Sequence, residues 1–411
     1  MSATSTIVVE TVQTRRDYET FVDLPWQVPM DRAGVRPMRE FERHLFDKGR
    51  RFRGSMSPQA MIDVMLLGQE NPFYEHGELE MFLAKDETGK AVARIVAIHN
   101  RLHNDFHQDK TGFFGFYQCV DGGEVGREAT RALVETASGW LRGRGLESIR
   151  GPFNPTINDD CGIWIDGDSY PSFLMPSNPR YYADLLEAAG MVRAKTLRVY
   201  RIDLQKDLSD AKWARWLKMT QRLERTYPNI HIRTADFKNL KVEVESFVDI
   251  FNLAWSKNWG FAPMSFKELM AMAELFQYMV DPNLIRAAEI EENGVRKTVG
   301  VMITIPDLNE FLRFSNGALL SPVLMWKVLR MKMSKKPTHR IRVAILGVLP
   351  DYRHTPVSIG LLVDSFKVAK AFGAKEIEAS WILEDNVPMV QPLEHQGFSI
   401  TDHYGIYERA V

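Results

Sequence analysis

Residues 340–348 (RIRVAILGV), the turn opened by Leu349 and Pro350, and residues 357–372 (VSIGLLVDSFKVAKAF) before Gly373 are the stretch on which the fold turns. The first run reads as a buried strand. The second repeats apolar residues at helical spacing until the glycine stops it. A short strand at residues 376–380 follows. Asn386 then opens a helix that ends in Leu393, Glu394, His395, Gln396, Gly397 and Phe398, and residues 400–408 close with a turn between two short strands.

The same order occurs in the first half. A strand at residues 112–120 (GFFGFYQCV) precedes a helix at 128–144 ended by Gly145, a strand at 147–151, and a helix that runs from Asn178 through Leu186 and Glu187 to Gly190 and Met191. Leu133-Val134-Glu135 stands 12 residues before its glycine (145 − 133), and Leu362-Val363-Asp364 stands 11 before Gly373 (373 − 362). Agreement at three markers in one order is the sign of a duplicated domain. The expected division is 1–205 and 206–411.

Between these markers the patterns predict a strand at 7–12 and a helix at 15–22. An Arg-, Pro- and Gly-rich covering loop is expected at 25–57, and a helix at 58–67 capped by Ser57 with Pro58 in its first turn. Alternating residues 79–84 and 91–98 around Asp86-Glu87-Thr88-Gly89 form a hairpin. The second half starts with a linking helix at 208–227, a strand at 230–234 and helices at 240–259 and 265–280. A hairpin of 284–291 with 298–305 and an insertion at 322–335 complete it.

Composition narrows the function. The 411 residues are 45% hydrophobic and 26% charged, with net charge −1, so two ordinary globular domains fit and no global field recruits nucleic acid. Two cysteines make neither a disulfide framework nor a metal box. No apolar run approaches the roughly 20 residues that span a bilayer, and the amino end has no signal-peptide core. The expectation is a cytoplasmic protein, at most peripheral to the inner membrane.

The repeated order resembles the core of the GNAT acyltransferases, so the expected class is α/β (α+β): two tandem GNAT-like domains, each a mixed, mostly antiparallel twisted sheet flanked by helices. Longer stretches are closer still: Asn71 to His76, His103 to Phe116, Arg150 to Asn154, Ala254 to Met264, and Ser380 to Asn386. They are similar to a bacterial tandem-GNAT family related to the ceramide synthases, which move a fatty acyl group from acyl-CoA to the amine of a sphingoid base. The resemblance implies acyl-CoA as co-substrate, with acyl carrier protein as the other donor, a lipid amine as acceptor, and no metal. Donor contacts would come from the strand end at Leu346, Gly347 and Val348, from Arg353, His354, Val357 and Ser358 around the helix start, and from Asn386. Helix amides and dipole favour a phosphate there.

The chain departs from the superfamily in two places. Pro356 stands where the phosphate loop has glycine, removing one N–H donor. Leu393 stands where a catalytic tyrosine often lies; Tyr404 or Tyr407 would substitute, or serve only in packing. The first-half loop, Asp121-Gly122-Gly123-Glu124-Val125-Gly126, is glycine-rich but carries two carboxylates that repel phosphate, which favours the second half for the donor. A non-catalytic GNAT-derived protein is the rival reading, and transfer from aminoacyl-tRNA a third that the charge balance disfavours.

Other candidates come from spacing. His99, His103 and His107 would share a helical face, with zinc as the sharp reading and capping as the plain one; His103 is the candidate base, and Asn104 and His107 candidate substrate contacts. Asn154, Asn158, Asp159 and Asp160 follow a strand end, where sites or turns both occur. Trp255 and Trp259 belong to an aromatic, methionine-rich run that is core or acyl groove. Residues 324–342 hold seven Lys and Arg and no acid among apolar residues, which suits an anionic membrane, a CoA phosphate or a solvated face.

Overall fold

The computed structural model describes residues 6–29, 71–167, 170–277, 280–313 and 338–411, with positions 322, 326, 329, 330 and 333. The expected helix at 58–67, most of the covering loop and most of the insertion lie outside the described residues. The chain forms two compact units. One comprises Met1–Leu197, Phe311–Leu324 and Asp402–Val411, the other Arg198–Glu310 and Met325–Thr401.

In the first unit, strand β1 (Val8–Thr11) and helix α1 (Arg15–Asp23) precede β2 (Gly77–Lys85) and β3 (Ala91–Asn100). Thr14 and Asp17 form a reciprocal capping box at α1. Helix α2 (Arg101–His107), β4 (Thr111–Cys119), α3 (Glu124–Arg142) and β5 (Ser148–Gly151) follow. Two short strands, β6 (Phe153–Asn154) and β7 (Asp160–Cys161), then lead to β8 (Ile163–Gly167), α4 (Tyr181–Ala188) and β9 (Val192–Asp203), whose residues from Arg198 on belong to the second unit. Leu133, Val134, Ala137 and Leu141 of α3 recur at helical spacing and are buried against Ile95, Ala97 and Phe114 of the sheet.

The second unit holds α5 (Asp210–Thr226), β10 (Ile230–Thr234), α6 (Leu240–Trp255), α7 (Phe266–Phe276), β11 (Ile285–Glu292) and β12 (Val295–Pro306). It continues with β13 (Arg340–Val348), α8 (Val357–Phe372), β14 (Glu376–Leu383) and α9 (Val387–His395). Its strands run β14-β13-β12-β11-β10, with β13 parallel to β14 and the rest antiparallel. Gly373, at φ 86°, ends α8 in the left-handed region that a side chain strains to enter.

The carboxyl end differs from its expected form. In place of two short strands and a turn, β15 is one strand, Ser399–Ala410. Within the first unit it pairs antiparallel with β5 and with β8, which slips register between His403 and Tyr404. Pairing of Gly405 with Ile163 of β8, and of Tyr407 onward with β5, keeps the chain extended where local sequence suggests a turn.

Candidate functional site

Each unit contains a parallel strand pair that opens into a gap. In the second, β13 pairs with β14 only from Arg340 to Val343, and the rest of β13 runs on unpaired with β14. Against β12 the register slips so that Ala344 is an extra residue, a bulge that bends the strand at that point. The Leu349 N–H bonds to Val299 O on the β12 side. Alternation then turns the N–H groups of Val348 and Leu346 to the open edge and that of Gly347 toward β12.

Of the three strand-end residues expected to meet a donor, Leu346 and Val348 therefore face the gap with their amides, and Gly347 has another role. A Cβ on Gly347 would lie 2.4 Å from the Trp255 ring, so the missing side chain lets the indole lie on the strand. Trp255 in turn stacks on Phe251, ring centroids 5.0 Å apart. Arg353 closes the end of the strand. Its Nε donates to Val348 O at 3.4 Å, and its Nη2 donates to Ala254 O at the end of α6.

Pro356 is the N-cap of α8, and no side chain caps the helix. The amides of Val357 and Ser358 in its first turn are bonded to no described side chain, so proline removes one donor and leaves the others in place. His354 beside them is exposed. Asn386 caps α9 through its carbonyl, which accepts from Val390 N at 3.0 Å, while its side chain makes no cap bond. Trp259 is half-buried in the turn after α6.

The first unit has the same gap, but its own groups fill it. The pair β4–β5 ends at Phe113 and Arg150. Phe116 and Tyr117 stand opposite Ile95 alone, and Phe116 takes φ 51°. Asn154 Oδ1 accepts the Phe116 N–H at 2.6 Å, and Phe153 O lies 1.7 Å from where a Gly115 Cβ would stand. At the strand end, Cys119 N–H donates to Tyr182 Oη at 2.8 Å and Cys119 O accepts from Tyr181 Oη at 2.8 Å. At the start of α3, the Asp121 carboxylate accepts from Gly123 N at 3.0 Å and Gly126 N at 3.3 Å. Bulge, strand end and helix start thus each have an amide taken up by a side chain, whereas the corresponding amides of the second unit bond to no described side chain and only the strand-end carbonyl, Val348 O, is taken, by Arg353.

The remaining candidates lie in the first unit, on other elements. Asn100 Oδ1 accepts from His103 N and starts α2, so His99 belongs to β3 opposite Glu78 and not to the helix. The buried His103 ring has Nε2 3.7 Å from Asp109 Oδ2, with His107 at 4.3 Å and Phe113 at 4.7 Å between centroids. Burial would raise the Asp109 carboxyl, but hydrogen bonds from Thr111 and Asn104 and the electrostatic effect of the nearby His103 ring hold it below the usual range. Asn104 Nδ2 donates to Thr111 O at 2.9 Å and Asp109 Oδ1 at 3.0 Å, stapling the end of α2. Asn158 lies in a turn where Thr156 Oγ1 accepts its N–H and Asp159 accepts from Thr156. Tyr404 is buried and donates to Pro176 O at 3.1 Å; Tyr407 faces Glu187, and burial pushes its hydroxyl up to about 12. Among the described residues no group of three or more His, Cys, Asp or Glu is placed to hold a metal.

The basic strip read from sequence is divided by the fold. Arg340 is buried in pairs with Asp307 and Glu376. Arg342 donates to Ser380 Oγ at 2.9 Å, Ser380 donates to Glu378, and Glu378 pairs with Arg201 at 2.7 Å. Nothing in sequence spacing links Arg201 to Glu378; the one local signal is a charge in each of two apolar strands. These two arginines are core, and only Arg330 of the strip is described and exposed.

The comparisons bear on the fold. The chain is similar to a solved tandem GNAT protein from the clavulanic acid pathway, at 12% identity and TM-score 0.50 over 98% of both chains. The chain is a tandem GNAT-fold protein. It is also 29% identical to the bacterial ceramide synthase of Caulobacter vibrioides over 84% of this chain and 87% of that one. Protein YghO of Escherichia coli is 29% identical over 84% of this chain and 85% of its own length. No protein-family model matches. The tandem GNAT fold and the likeness to ceramide synthase expected from the motifs are therefore borne out. In tandem GNAT terms, each unit carries its own splayed strand pair and one is closed.

Proposed function

We propose that the protein is an N-acyltransferase whose second unit takes a long-chain acyl-CoA into the gap between β13 and β14 and passes the acyl group to a lipid-like amine, a sphingoid base by analogy with the named relative. The contrast between the two gaps carries this reading. The amides of Leu346, Val348, Val357 and Ser358 are open to a thioester carbonyl and a phosphate, whereas their counterparts in the first unit bond to Asn154, Tyr182 and Asp121.

In the reaction the amine nitrogen attacks the thioester carbon, the C–S bond breaks, and the thiolate leaves with the proton the amine gives up. A strand amide aimed at the carbonyl stabilises the oxyanion. Arg353 acts on this site through Val348 and Ala254, holding the strand end against α6. Leu393 is buried and brings no hydroxyl, so the proton reaches sulfur by another group or through water.

The test is calorimetric titration with palmitoyl-CoA, acetyl-CoA and free CoA, followed by mass spectrometry after adding a sphingoid base. One long-chain thioester per chain and an amide product are expected. Binding without product with any of several amines would favour the non-catalytic reading, and product only from acyl carrier protein would replace the donor.

A further inference from the structure

Trp326, Leu329 and Met333 are 58%, 56% and 76% exposed, all three on helical backbone in the second unit. Their spacing of three and four is the one at which side chains on helical backbone share a side, and the Arg330 guanidinium stands 5.5 Å from the Trp326 ring centroid. All four line one shallow concavity. Three large apolar side chains so exposed at consecutive turns form a patch, which is unlike scattered surface leucines.

Charge decides what covers it. Residues 324–336 contain five Lys and Arg and no Asp or Glu, in a chain whose net charge is −1. A protein core or a second copy of a near-neutral chain offers no matching anionic field. Nucleic acid matches the charge but has no bed for tryptophan, leucine and methionine in a row. An anionic bilayer supplies both, because the apolar side enters the headgroup boundary while the cations stay at the phosphates.

We propose that this helix docks the protein on the surface of an anionic phospholipid bilayer, with Trp326, Leu329 and Met333 as apolar anchors and Arg330 at the headgroups. The inference stands independently of the catalytic reading, since it concerns another surface and holds for an enzyme or a binding protein.

The full-length protein is floated with vesicles of phosphatidylcholine alone or with about a third phosphatidylglycerol, at low and high salt. Binding to the anionic vesicles, with a blue shift of tryptophan emission, is expected. It should weaken at least about tenfold in the Trp326→Ser/Met333→Ser double variant and also in Arg330→Glu. Both changes lie on exposed positions, and unchanged thermal melting would exclude misfolding as the cause. Equal binding to neutral vesicles, no vesicle binding, anionic binding that both variants retain, or a patch-dependent dimer without vesicle binding would each overturn the proposal.

Discussion

Ser358→Asp would place at the start of α8 the carboxylate that Asp121 supplies at the start of α3. There the Asp121 oxygens lie 3.0 and 3.3 Å from two amide nitrogens, so they occupy the space a phosphate oxygen would take. A carboxylate at residue 358 would stand about 5 Å from a phosphate held by the same turn. At an effective dielectric constant of about 20, that repulsion is about 3 kcal/mol, roughly two orders of magnitude in Kd. The fold should not suffer, because an acidic side chain in a first turn favours the helix dipole by about 0.5 kcal/mol. Asp121→Ser is the counterpart: it should cost about 1 kcal/mol of stability through the weakened cap and leave acyl-CoA binding unchanged, with one site per chain. Titration calorimetry and thermal melting of both variants measure these quantities. Palmitoyl-CoA affinity within twofold of the parent in Ser358→Asp would refute the assignment. Lost binding, or a second site, in Asp121→Ser would move the donor to the first unit.

Gly347→Ala brings a Cβ to 2.4 Å from the Trp255 ring, and overpacking of this kind should cost about 1–3 kcal/mol; an unchanged urea midpoint would show that the ring swings away freely. Glu378→Ala leaves Arg201 buried without its carboxylate, so a loss of about 3–5 kcal/mol is expected, partly recovered by adding Arg201→Met. Burial pushes the Cys119 thiol up to about 11, so a thiol reagent at pH 8 should label it only on unfolding; native and denatured labelling rates that agree would contradict its place in the core. Asp109 has its folded pKa lowered, so its contribution to stability is present above about pH 4 and lost as pH falls through the folded value. Acid denaturation of Asp109→Asn should accordingly start from a less stable protein and be less steep, and a superimposable acid limb would remove that role.

Local pattern carried much of the fold. The strands at 230–234 and 340–348 and the helix at 357–372 have the bounds expected from alternation, helical spacing and Gly373. The duplication was legible too, because glycines that end helices and apolar faces that meet a sheet constrain residues only a few positions apart. Hydrogen-bond partners were less legible. The histidine run looked like one helical face until Asn100 proved to be the cap, and Arg340 and Arg342 looked like surface until the acids of neighbouring strands paired with them.

The sequence by itself determined the element order, its repetition and the residue types at both helix starts, including the carboxylates at 121 and 124. Only the tertiary structure decided which gap is open. Asn154 reaches Phe116 across 38 residues of chain, and Tyr181 and Tyr182 reach Cys119 across 62 and 63. Those bonds depend on how strands and helices are laid side by side, and a chain's local preferences do not specify which distant side chain will satisfy a given backbone amide.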